Sequence, residues 1–110
     1  MAKRNYFTPN EIVLCTYAAM YDARDFGGIS KIEDIRHRSR ASIQMKIQNI
    51  AAMVDDAGIA RSSDVSPLTG LPTGQTGRTT NWDVVEPLSR LSKSALLERC
   101  RNIVRSTGGA

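Results

Sequence analysis

Ile43, Ile47, Ile50 and Val54 recur at i, i+4, i+7 and i+11. That spacing gathers four branched apolar side chains on one face of an α-helix, which must then be laid against other elements. Around the stripe the stretch carries Ser42, Gln44, Met45, Lys46, Gln48 and Asn49, and three arginines, Arg36, Arg38 and Arg40, stand at its start. A packed helix with a polar outer surface and a basic approach is the layout of the second helix of a helix-turn-helix.

The signals upstream place this helix third. Thr8-Pro9-Asn10-Glu11 reads as a capping box, with Thr8 at the N-cap, Pro9 in the first helical position and Glu11 three residues after the cap; Phe7 and Ile12 are spaced for a hydrophobic staple. The first helix is expected to run to about Tyr21 or Ala23, with Leu14, Tyr17, Ala18 and Tyr21 inward, before Gly27-Gly28 breaks the chain. Ser30-Lys31-Ile32-Glu33 reads as a second capping box that starts a short helix through about His37. Ser39 then caps the third helix, which continues to about Asp56, where Gly58 suits the left-handed position after a helix and Ile59 the apolar contact beyond it.

Residues 62–81 are rich in Gly, Pro, Ser and Thr and read as a flexible loop. Helical patterning returns with Asn81 as a cap and Trp82, Val85, Leu88 and Leu91 on one face, although Pro87 is expected to kink or divide the segment. Ser92 or Ser94 caps a last helix through about Arg105. Its apolar side is Leu96, Leu97, Cys100, Ile103 and Val104, and its basic side is Arg90, Lys93, Arg99, Arg101 and Arg105. The expected fold is therefore all-α: a trihelical unit over 1–61, a loop over 62–81, and C-terminal helices over 82–110 that pack on that unit or on a partner, such as a second copy. No strand pattern and no repeat is present.

Composition narrows the function. The chain of 110 residues has a formal net charge of +4, which favours an anionic partner moderately. No apolar run reaches the roughly 20 residues needed to span a bilayer, and the basic N-terminus lacks a signal-peptide core, so a cytoplasmic location is expected. Cys15 and Cys100 sit on helical patterns and read as buried, reduced thiols. The single histidine, His37, has no cysteine or histidine at ligand spacing, so no zinc site is expected. The glycines of 70–77 lack the Gly-Lys-Ser/Thr ending of a phosphate-binding loop. Asp22, Asp25, Glu33 and Asp34 around the glycine pair, and Asp55-Asp56, are paired carboxylates that read either as a divalent-ion site or as helix-end charge, and Asp55-Asp56 also as contacts for a basic partner. No metal, cofactor or catalytic residue is assigned, and the chain is expected not to be an enzyme.

The outer surface of the third helix carries the functional reading. Asn and Gln pair with adenine edges, Arg and Lys with guanine, and Met touches a thymine methyl. At 100° per residue, Ser42, Met45, Lys46, Asn49 and Met53 are expected together on a flank away from the Ile stripe, with Ala41 and Gln48 on the opposite flank. The expected DNA contacts are Arg36, Arg38, Arg40, Ser42, Gln44, Met45, Lys46, Gln48 and Asn49. Lys3 and Arg4 are placed to act as an N-terminal arm.

Phe7-Thr8-Pro9-Asn10-Glu11 followed by Ser39-Arg40-Ala41-Ser42-Ile43 resembles a trihelical Myb/SANT-type helix-turn-helix. Arg4-Asn5-Tyr6-Phe7-Thr8 with Arg38 to Ala51 is similar to the helical region N-terminal to some bacterial HNH-type nucleases, over roughly residues 4–60. The resemblance implies binding of double-stranded DNA, with Arg40, Ser42, Lys46 and Asn49 as contacts. The chain departs from it at Phe7, where a tryptophan is usual, and it has no nuclease part. Two functions stay open: a DNA-binding bacterial or phage transcription regulator, and a small protein-binding module such as a phage inhibitor of a host defence system, of the anti-restriction or anti-CRISPR kind.

Overall fold

A computed structural model describes residues 7–59 and 82–108. They form five α-helices and a 3-10 turn: α1 (Pro9–Met20), the 3-10 turn (Ala23–Phe26), α2 (Ser30–Arg36), α3 (Arg40–Asp56), α4 (Trp82–Ser89) and α5 (Lys93–Gly108). The fold is all-α, with no strand among the described residues. The expectations for Lys3, Arg4, Asn81 and the 62–81 loop lie outside those residues.

The start of α1 follows the expected box. The Glu11 amide donates to Thr8 Oγ1 at 3.3 Å, and the Thr8 amide donates to Glu11 Oε1 at 2.8 Å. The helix stops at Met20, and Asp22 caps the 3-10 turn by accepting from the Arg24 amide. At α2 the sequence reading is corrected. Ser30 does not cap: the N-cap is Ile29, whose backbone is already helical and supplies no side-chain bond. A capping side chain needs an extended backbone at its own residue, and Ser30 is inside the first turn. Ser39 does cap α3, accepting from the Ser42 amide at 3.2 Å. At the far end, the Ile59 amide reaches Val54 O and the Gly58 amide reaches Asp55 O, with Gly58 at φ +74. Those two bonds are the Schellman pattern.

Pro87 neither divides nor ends α4 at once; the helix continues through it to Ser89. Pro87 has no amide to donate to the Asp83 carbonyl, so the helix continues with one intrahelical bond missing. Ser92 is the cap of α5, accepting from the Ala95 amide at 3.2 Å, and the helix reaches Gly108, beyond the expected Arg105.

One core joins all of these elements. α1 packs on α3, α4 and α5, α2 packs on α3 and α5, and α3 also meets α4. This explains why α1 is buried at almost every position from Glu11 to Met20 rather than on the expected inner face alone. Val85, Leu88, Leu96 and Cys100 belong to the same apolar cluster as Leu14, Tyr17, Ile43 and Ile50. The C-terminal helices thus pack back on the N-terminal unit and complete a core that three short helices would leave open. No described helix is long and apolar enough to cross a membrane.

Candidate functional site

A three-residue turn, His37 to Ser39, leads from α2 into α3. His37 adopts the left-handed conformation (φ 53) that closes α2, with its amide donating to Glu33 O. Arg36 and His37 are exposed on that turn, but Arg38 is not: it is 7% accessible. Its Nε donates to Glu11 Oε2 at 2.7 Å and its Nη2 to Glu11 Oε1 at 3.0 Å. Its guanidinium carbon also lies 3.9 Å from the centre of the Phe7 ring. The bidentate pair joins the start of α3 to the start of α1. Burial on its own would raise the Glu11 carboxyl, but the bonds from Arg38 and Thr8 outweigh it and hold the group below the ordinary carboxylate value.

Two further expected contacts are also buried. Lys46 is 8% accessible, lies with its Nζ 5.7 Å from the Phe7 ring centre, and is shifted down by burial. Asn49 is 9% accessible. Arg38, Lys46 and Asn49 are therefore corrected: they are interior side chains and do not stand on the outer surface. The geometric reason is plain for Lys46 and Met53, which lie only about 70° and 90° around the helix from the centre of the Ile stripe. The core that includes α1 and α4 covers an arc wide enough to take them in. Arg38 occupies the position before the N-cap of α3, and Ile43, four residues into the helix, is fully buried. These are the staple positions, whose side chains turn back toward the body. That was the one signal in the sequence that separated Arg38 from Arg36 and Arg40. Nothing in the sequence marked Glu11 as more than a cap.

Arg40, Ala41, Ser42, Gln44 and Met45 are exposed and Gln48 is half-buried, whereas every residue from Asn49 to Val54 is buried. The outer surface of α3 thus lies on its N-terminal half, apart from Asp55 and Asp56, which are exposed at its last two positions. Gln44 and Gln48 stand one turn apart on it, and Met45, at 59% accessibility, is the exposed large apolar side chain among the described residues. Ser42 is partly engaged, since Ser39 Oγ donates to its hydroxyl at 2.9 Å. Arg40 pairs with Glu33 at 3.0 Å but remains exposed. Beside this surface runs a depression of about 900 Å³, walled on one side by Ala41, Gln44, Met45 and Gln48 and on the other by Tyr21, Ala23, Arg24 and Ile29.

The remaining polar groups act locally. Asp22 binds Arg24 at 2.7 Å, and Asp25 accepts from the buried Tyr17 hydroxyl at 2.6 Å. No group of three or more metal-ligating side chains occurs among the described residues. Both cysteines are free and buried. Burial pushes the Cys15 thiol far above its ordinary value and the Cys100 thiol up to about 12, which leaves both poor nucleophiles. The basic side of α5 is exposed at Lys93, Arg99, Arg101 and Arg105, while Leu96 and Cys100 on its other side are spent in the core.

Comparison with family models, with curated proteins and with solved structures gives no match.

Proposed function

We propose that the protein binds double-stranded DNA through the N-terminal half of α3, with α2 and α3 acting as a helix-turn-helix. The observation that carries this reading is the division of α3. Its first turns present Arg40, Gln44, Met45 and Gln48 outward, while Asn49 to Val54 are buried in the body and only the terminal Asp55 and Asp56 emerge again. A helix entering the major groove reads bases from its N-terminal residues and is anchored by the rest. Arg36 and Arg40 flank those turns, where phosphates pass. Arg38, Lys46 and Asn49 leave the contact set and become its support.

A second reading, a protein-binding module, is favoured by the charge of the body. Of the fifteen Lys and Arg, Lys3, Arg4, Arg61 and Arg78 lie outside the described residues, whereas among the eleven acids only Asp64 does. The described body is thus nearly balanced, and the outer surface of α3 is mostly uncharged.

Titrating a labelled random duplex by fluorescence anisotropy at several salt concentrations separates the two. DNA binding gives an affinity that falls with salt, and Arg36→Ala and Arg40→Ala each lower the logarithmic slope by about 1. Absence of binding at low salt overturns the DNA reading in favour of a protein partner.

A further inference from the structure

The exposed turns of α3 also suggest what they would read. We infer that this surface selects A·T pairs, with Gln44 and Gln48 hydrogen-bonding adenine edges and Met45 resting on the C5-methyl group of thymine. The inference rests on the DNA-binding reading above.

Gln44 and Gln48 are four residues apart, a rise of about 6 Å along the helix, close to two base-pair steps of about 3.4 Å. A carboxamide offers a donor and an acceptor side by side, which is the pairing that the N7 and N6 atoms of adenine require. Neither lysine nor arginine stands among the outward side chains between Ala41 and Gln48, so the pairing suited to guanine is missing from the middle of the surface. Ala41 lies within about 20° of Gln48 around the helix axis. Its small side chain lets the backbone come close to the base edges there. Met45 lies about 60° from Gln48 on that same side, beyond Ala41. An exposed thioether is unfavourable in water and gains by covering a methyl group. Among the base edges of the major groove, only thymine carries one.

The rim supplies the complementary charge. Arg24 borders the depression with its side chain 86% accessible, and Arg40 is 56% accessible. Their present partners, Asp22 and Glu33, hold them in exposed ion pairs of small worth, so phosphate oxygens can replace those carboxylates.

The test uses the full chain and modifies the DNA as well as the protein. Duplexes recovered by repeated selection from a random library should be enriched in A·T pairs. Replacing their thymines by deoxyuridine removes the methyl and keeps every hydrogen bond. This should weaken the wild-type protein by about fourfold for each methyl covered, the worth of one buried methylene, and leave Met45→Ala unaffected. Gln44→Ala should lose at least about fivefold of the A·T preference, with the salt slope unchanged. Binding without A·T enrichment, or an affinity indifferent to deoxyuridine, overturns the inference and leaves the DNA reading standing. No binding to any duplex overturns both. Met45 and Gln44 are exposed, and deoxyuridine needs no protein variant, so misfolding cannot imitate these outcomes.

Discussion

Arg38 and Glu11, 27 residues apart in sequence, are locked by two hydrogen bonds of 2.7 and 3.0 Å with side chains 5% and 0% accessible. The pair fixes the turn before α3 to the first turn of α1, and so sets where the exposed turns of α3 begin. Removing one partner strands a buried charge, which costs about 3–5 kcal/mol. Arg38→Met should therefore lower the urea midpoint severely. Adding Glu11→Gln should recover a large part of that loss, because the carboxamide still reaches the Thr8 amide and carries no charge. A single Arg38→Met costing under about 1 kcal/mol would show that the pair adds little.

The same carboxylate makes stability depend on acid. Its folded value lies below its ordinary value of 4.5. Between the two, the unfolded chain holds more protons than the folded one, so stability rises with pH. The contribution is complete above about 4.5 and is lost as pH falls through the folded value. Urea midpoints followed from neutral to acid pH should fall more steeply for the wild type than for the Glu11→Gln/Arg38→Met protein. Parallel profiles would show that other carboxylates carry the acid response.

How far the sequence could be read depended on whether a signal was local. Thr8 with Glu11, Ser39 with Ser42, and Gly58-Ile59 with Asp55 and Val54 are short-range devices, visible as spacing, and the structure has each of them. Ser30 does not cap because a capping residue needs an extended backbone of its own, and Ser30 already lies inside the helix that follows Ile29. Arg36, Arg38 and Arg40 have nearly the same neighbours, yet one of them is interior; the difference is made by Glu11 and Phe7, far away in sequence. Lys46 and Asn49 are interior because the covered arc of α3 is wider than the Ile stripe. The width of that arc is set by how many elements surround α3, which periodicity within α3 cannot report.

His37 and Gly58 make a matched pair of tests. Both have positive φ, 53 and +74, but only one is a glycine. A left-handed residue with a side chain costs roughly 1–2 kcal/mol. His37→Gly relieves that strain and adds unfolded-state entropy, so a net gain of up to about 1 kcal/mol is expected. Gly58→Ala should lose about 1 kcal/mol for the backbone alone, since nothing lies within 4 Å of where its Cβ would stand. Chemical denaturation should show the two midpoints moving in opposite directions, and a destabilised His37→Gly would mean that the imidazole contributes more than its backbone costs.

Tyr17 ties the middle of α1 to the 3-10 turn, its hydroxyl donating to Asp25 Oδ2 at 2.6 Å while the ring is fully buried. Burial, reinforced by the Asp25 carboxylate, raises the phenol well above its ordinary value of 10.0. The folded value is the higher one, so this contribution is complete below about pH 10 and declines as pH rises toward it. Tyr17→Phe should cost about 1 kcal/mol, the net worth of one hydrogen bond, because the exposed Asp25 carboxylate regains water. In an ultraviolet titration, the wild-type protein should show one tyrosine that ionises late, together with alkaline unfolding. Tyr17→Phe should lack that late step. A difference spectrum between the two proteins that placed the Tyr17 step near pH 10 in the folded state would mean that the phenol reaches water and that the bond to Asp25 is not held in solution.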